Sequence, residues 1–96
     1  MIDGSQIIVA FKQELHHAGL TPRDVADSIG LHSTSLYRIL SGRRRTSHHA
    51  LQALRMATKF LHWGNQRGML TGSASRDTRE RPQRVAEAFE AWLIEP

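Results

Sequence analysis

Residues 21–42 read TPRDVADSIGLHSTSLYRILSG and carry the start and stop signals of two short helices. Thr21 is a typical N-cap, and Pro22 suits the first helical position because the N–H that it lacks would be unpaired there. Gly30 permits the positive φ of a tight turn, and Gly42 permits the left-handed end of a second helix. The stretch therefore predicts two helices separated by about three residues.

Small and apolar residues within this stretch indicate how the two predicted helices pack. Asp24 lies three residues after Thr21, so its carboxylate can return a contact to the N-cap. Ala26 is small enough to let two helices cross closely. Five apolar residues have the spacing that fixes the angle between the helices: Val25, Ile29, Leu31, Leu36 and Ile39. Together these features form a helix-turn-helix pattern.

Helical periodicity continues on both sides of this pattern. Before it, apolar residues recur at helical spacing between Ser5, a candidate N-cap, and Gly19, a candidate terminus. After it, Ser47 can cap a longer amphipathic helix that ends near Gly64. No strand-like alternation and no internal repeat is evident in the 96 residues. The predicted fold class is therefore all-α, with four to five helices in a compact arrangement.

The C-terminal third of the chain has a different character. Residues 65–81 are rich in glycine, serine and charges, and predict a linker or a loosely held loop. Pro82 then suits the start of a terminal helix with an apolar face. The predicted organisation is a helix-turn-helix domain over residues 1–64, the linker, and a C-terminal helix over residues 82–96.

The apolar face of the terminal helix must be buried, because an isolated helix of this length is marginal in water. Four residues on this face are candidates for a dimer or partner interface: Val85, Phe89, Trp92 and Leu93. Three surfaces remain possible at this point, namely the protein's own core, a second copy of the chain, or a different protein.

Charge is concentrated in the middle of the chain. Residues 28–76 contain no acidic residue. Seven basic residues lie between residues 37 and 67: Arg38, Arg43, Arg44, Arg45, Arg55, Lys59 and Arg67. Such a block beside nearly neutral flanks is typical of a surface that binds a polyanion.

Residues 21–42, with the ending Arg38-Ile39-Leu40-Ser41-Gly42, resemble the XRE/Cro, or lambda-repressor-like, helix-turn-helix family. The resemblance covers roughly residues 6–61. It implies that the second helix of the motif enters the major groove of double-stranded DNA, usually in a homodimer on a pseudo-palindromic operator. It further implies that five residues face the DNA bases: His32, Ser33, Thr34, Tyr37 and Arg38.

Helical spacing alone also predicts that this face of the second motif helix is exposed. Once Leu36 and Ile39 are committed to the core, Thr34 and Tyr37 turn to the opposite side of the helix. Ser33 has an alternative role as a helix cap.

Contacts to DNA phosphates are expected around the motif. The candidates are Thr21, Arg23, Arg43, Arg44, Arg45, Ser47 and His48. Many members of the family have a polar amide side chain where Pro22 stands, and proline donates no hydrogen bond. The contact at the start of the first motif helix therefore falls to Thr21 or Arg23.

Several classes of function are disfavoured by the residues present. The chain has no cysteine, and its histidine pairs at 16–17 and 48–49 lack the spacing for a zinc site, so no metal and no cofactor is expected. No nucleophile elbow, phosphate-binding glycine loop or pair of carboxylates suggests an enzyme, and no catalytic residue is expected. The only early apolar run, residues 7–11, is too short for a signal peptide or membrane span, which favours the cytoplasm.

The sequence therefore favours a sequence-specific DNA-binding transcriptional regulator, most simply a repressor. Two alternatives remain open. The first alternative is an antitoxin-like or anti-defence-associated regulator whose terminal helix binds a partner protein. The second is a helical interaction adaptor without DNA activity.

Overall fold

A computed structural model of the chain describes residues 4–42, 46–68, 70 and 80–94. Within these residues every regular element is an α-helix, as the periodicity predicts. The five helices are α1 (Gly4–Ala18), α2 (Pro22–Ala26), α3 (Ser33–Leu40), α4 (His48–Gln66) and α5 (Arg81–Ile94). The radius of gyration is 12.7 Å, close to the ~12.5 Å expected for a compact chain of this length.

The first two helices begin and end largely as their sequence predicts. Gly19 ends α1 with a φ of +70°, a conformation that costs glycine little because it has no Cβ. Ser5, the predicted N-cap of α1, lies inside the helix instead, because α1 starts at Gly4. Thr21 is the N-cap of α2 and Pro22 is its first residue. The helix starts predicted from Thr21 and Pro22 are thus confirmed.

The turn between α2 and α3 is longer than predicted. Regular helix ends at Ala26 rather than next to Gly30, so six residues, 27–32, separate the two helices. The Leu31 N–H donates to the Ala26 carbonyl at 3.0 Å, and the Gly30 N–H donates to the Asp27 carbonyl at 3.3 Å. This pair of hydrogen bonds is a Schellman motif, which needs a left-handed residue and obtains it from Gly30 at φ +75°.

α4 starts as predicted and ends two residues after Gly64, near which the sequence predicts its end. The Ser47 hydroxyl oxygen accepts a hydrogen bond from the Ala50 N–H at 3.1 Å, which confirms Ser47 as the N-cap. The helix continues past Gly64 to Gln66. Gly64 is instead a contact point, because a Cβ placed there would lie 2.7 Å from a methyl carbon of Leu70. Leu70, in the segment predicted to be loosely held, is 2% exposed.

The core is shared by all five helices. α1 packs along α4, α2 packs against α3 and α5, and α5 also contacts α4. The seven largest side chains that are almost completely inaccessible are Phe11, Val25, Leu36, Leu54, Phe60, Leu61 and Val85. Because Val85 belongs to the same core as Phe11, α5 is an integral part of the fold and not a separate arm.

We expect Gly30→Ala to lower the free energy of unfolding by about 1–2 kcal/mol. A Cβ at this position would meet no atom within 4 Å, so the cost comes from the left-handed backbone alone. Urea denaturation followed by circular dichroism measures the change, and Gly30→Asn should be milder because asparagine tolerates this conformation better. An alanine variant as stable as the wild type would contradict the Schellman geometry.

Candidate nucleic-acid interface

Helix α3 has one buried face and one exposed face. Leu36 is 0% exposed and Ile39 is 3% exposed. Thr34, Tyr37 and Arg38 are exposed on the other side. The solvent-facing position predicted for these three residues is thus observed, and Tyr37, at 48% exposed, is one of the few large apolar side chains that the protein does not bury.

The N-terminal end of α3 differs in detail from its prediction. His32, not Ser33, is the N-cap, and its Nδ1 accepts a hydrogen bond from the Thr34 N–H at 3.3 Å. His32 is exposed, whereas Ser33 is half-buried. The cap leaves the His32 Nε2 available to an outside partner. The alternative role of Ser33 as the cap is therefore wrong.

The start of α2 is occupied by an internal carboxylate. Asp24 is 5% exposed. Its Oδ2 accepts hydrogen bonds from the Thr21 N–H at 2.9 Å and from the Thr21 hydroxyl at 3.0 Å. The predicted return contact is thus present, but it uses both donors of Thr21. The predicted phosphate contact of Thr21 would have to compete with Asp24 for these donors and stays a prediction, and the exposed Arg23 lies at the same end.

The other predicted phosphate contacts have mixed outcomes. Ser47 and His48 are exposed at the start of α4. The His48 Nε2 lies 3.0 Å from the Gln52 Nε2, so that its ring is held against α4. The predicted contacts from Arg43, Arg44 and Arg45 lie outside the described residues.

The fold distributes the basic block over several places. Arg55 and Lys59, on α4, border both the groove with Ile7 of α1 and the groove with Trp92 of α5. Arg67 stacks over Trp63, with its guanidinium carbon 4.8 Å from the ring centroid. The block is continuous in the sequence, yet only Arg38 among its described members lies on α3.

A groove beside α3 contains residues that the sequence did not single out. It has a volume of about 410 Å³ and lies between α1 and α3. Lys12 and His16 line it from α1, and Tyr37 and Ser41 line it from α3. In the sequence, the i, i+4 spacing of Lys12 and His16 indicates only that they share one face of a helix. It does not indicate that α3 lies opposite this face.

The terminal helix places its predicted interface residues differently. Val85 and Phe89 are 1% and 7% exposed and face the protein's own core, so their predicted dimer or partner role is wrong. Trp92 is half-buried and Leu93 is 58% exposed. Of the three surfaces considered for this face, the protein's own core covers most of it.

Comparison of the chain with protein-family models, with curated proteins and with solved structures found no match. The resemblance to the lambda-repressor-like family therefore depends on the residues and spacing of the helix-turn-helix segment alone.

Neither a metal-binding cluster nor a membrane-spanning helix occurs in the part of the chain that the structure describes. Among the described residues, no group of three or more His, Cys, Asp or Glu side chains is arranged to hold a metal ion. The His62 Nδ1 lies 3.3 Å from the Glu14 Oε1. None of the described helices is long and apolar enough to cross a membrane.

Proposed function

We propose that this protein is a sequence-specific DNA-binding transcriptional regulator with a lambda-repressor-like helix-turn-helix fold. The observation that carries the proposal is the two-sided character of α3. Leu36 and Ile39 anchor the helix to the core, and the opposite face presents exposed side chains to solvent. A rigid helix with such a face has the dimensions to enter a major groove about 12 Å wide.

The exposed residues of α3 differ in what they can read. Thr34 and Arg38 are one helical turn apart, so they point the same way. The Arg38 guanidinium can donate two hydrogen bonds to O6 and N7 of a guanine, and Thr34 can contact a base edge or a thymine methyl group. His32 and Ser33 flank them at the N-terminal end of the helix. We assign Thr34 and Arg38 the main part in sequence recognition.

The proposed regulator acts as a homodimer and represses by occupying its operator. Two copies of α3 about 34 Å apart would enter successive major grooves on one side of the duplex. The end of α5 supports an interface between copies, because Leu93 and Ile94 are 58% and 82% exposed and adjoin the half-buried Trp92.

Selection of bound sequences from a random pool of DNA duplexes tests this function directly. We expect a two-fold symmetric motif whose half-sites are about one helical turn apart. An enriched but asymmetric motif would support DNA binding and contradict the dimer. Failure to enrich any sequence, together with no binding of random duplex at low salt, would contradict the function.

The exposed end of α5 also favours a second candidate, a regulator that binds a partner protein through this helix. A substitution at Leu93 distinguishes a homodimer formed by α5 from a partner protein bound by α5. If α5 forms the homodimer, Leu93→Glu should convert dimers to monomers in sedimentation equilibrium, because a carboxylate is costly to bury without a partner. Val9→Glu is a matched control, since Val9 is 52% exposed on α1.

The other outcomes of this experiment also distinguish the homodimer from the partner protein. A wild-type protein that is already monomeric at the concentrations at which it binds DNA would favour the partner protein. Dimers that persist in Leu93→Glu would move the interface to another surface.

A further inference from the structure

We infer that the groove between α1 and α3 binds the sugar-phosphate backbone of one DNA strand, and that Lys12, His16 and Tyr37 are its contacts. The inference rests on the proposed function and adds residues to it. It also gives Tyr37 a different role from the base contact expected from the sequence.

The two walls of the groove present hydrogen-bond donors to the same space. Lys12 and His16 are exposed and one turn apart on α1, and Tyr37 is exposed on α3. An ammonium, an imidazole and a phenol hydroxyl group can all donate to phosphate oxygens. The Ser41 hydroxyl, just after α3, already donates to the Arg38 carbonyl at 3.1 Å. None of the described residues that line the groove is acidic, so no described carboxylate there would repel a phosphate.

The rest of the lining is apolar. Leu15 and Leu20 are buried at 4% and 7% exposed, and Pro22 and Leu40 are half-buried beside them. A nucleic-acid backbone alternates charged phosphates with the largely apolar faces of deoxyribose rings. The groove matches that alternation, since it has donors at its edges and apolar surface between them.

The position of the groove beside α3 favours a DNA strand over a small ligand. A helix with its side chains is about 10–12 Å wide, and the major groove that admits it is about 12 Å wide. The strands that border the groove must therefore pass directly beside α3. Because α1 forms the wall opposite Tyr37, a strand on that side would run between Tyr37 and the pair Lys12 and His16.

Phosphate contacts from α1 matter more because the first residues at the neighbouring start of α2 have few donors to offer. Pro22 has no N–H to donate, and both donors of Thr21 are used by Asp24. The groove adjoins Pro22 directly. Lys12 and His16 therefore add phosphate contacts from α1 to the one that Arg23 offers at the start of α2.

Three single variants of the whole chain test the inference, and two further variants serve as controls. Binding is measured over a range of salt concentrations to the duplex selected from the random pool and to a duplex of random sequence. Lys12→Gln should reduce affinity for both duplexes about tenfold and lower the slope of log K against log salt by about 0.9. His16→Gln should weaken both duplexes by a common factor.

Two changes of the same chemistry serve as controls. Lys59→Gln removes an exposed lysine from α4, outside the groove. His17→Gln removes the adjacent histidine, which lines a different cleft with Glu14 and His62. Both controls should keep the wild-type salt slope. The inference is overturned if Lys12→Gln and His16→Gln bind DNA as their controls do.

Tyr37→Phe tests the role of the hydroxyl group. A lost phosphate contact weakens both duplexes equally and leaves the selected motif unchanged. A changed base preference would return Tyr37 to base reading and overturn its place in this groove. If the wild-type protein binds neither duplex, the proposed function itself fails. Failure of the inference alone leaves wild-type binding intact, so the two failures are distinguishable.

Discussion

Phe60→Ala is expected to lower the free energy of unfolding by about 3–5 kcal/mol, the largest effect of any single change considered for this protein. Phe60 is 0% exposed. Its ring lies 5.1 Å from that of Phe89 and 5.8 Å from that of Trp92, measured between centroids. Alanine would leave a cavity between α4 and α5 and remove both aromatic contacts.

Urea denaturation followed by far-ultraviolet circular dichroism measures this loss. Since a domain of this size is stable by about 5–15 kcal/mol, the variant should unfold at much lower urea. Phe60→Leu is the matched control and should cost clearly less, because it keeps much of the buried volume. An alanine variant within about 1 kcal/mol of the wild type would show that α5 does not depend on this contact.

Arg38→Ala is expected to weaken binding to the selected duplex by about 1–3 kcal/mol and to relax discrimination at one base-pair position. Arg38 is exposed on the face of α3 opposite Leu36 and Ile39. Loss of its two donors would remove a contact to a guanine edge. Repeating the selection with the variant, together with affinity titrations, measures both effects.

Arg55→Ala is the control for this change, because Arg55 is an exposed arginine on α4. It should leave the selected motif unaltered. If Arg38→Ala weakens selected and random duplexes by the same factor, Arg38 contacts phosphate and not bases. If neither variant changes binding, α3 is not the recognition helix.

Local features of the fold could be predicted well from the sequence. Thr21, Pro22 and Ser47 mark helix starts through short-range rules, because a cap depends on atoms within three or four residues. The same holds for Gly19, where only the local backbone conformation matters. The buried pair Leu36 and Ile39 followed from helical periodicity, and with it the exposed positions of Thr34 and Arg38.

Residues whose role depends on a partner were harder to assign from the sequence. Thr21 satisfies the capping rule, and the structure adds that both of its donors bond to Asp24. Gly64 resembles a helix terminus in sequence and is instead a contact with Leu70. In both cases the local pattern is compatible with two roles for the residue. The role is decided by which acceptor takes the Thr21 donors and by which side chain packs against Gly64.

The sequence by itself determined the helical class, the starts of α2 and α4 and the exposed face of α3, because hydrophobic periodicity and end signals act over one or two helical turns. Only the tertiary structure decided that Phe89 lies in the core and that Lys12 meets Tyr37 across a groove. These contacts join residues that are far apart in the chain. Packing between helices decides which of them become neighbours, so the local spacing of residues does not predict them.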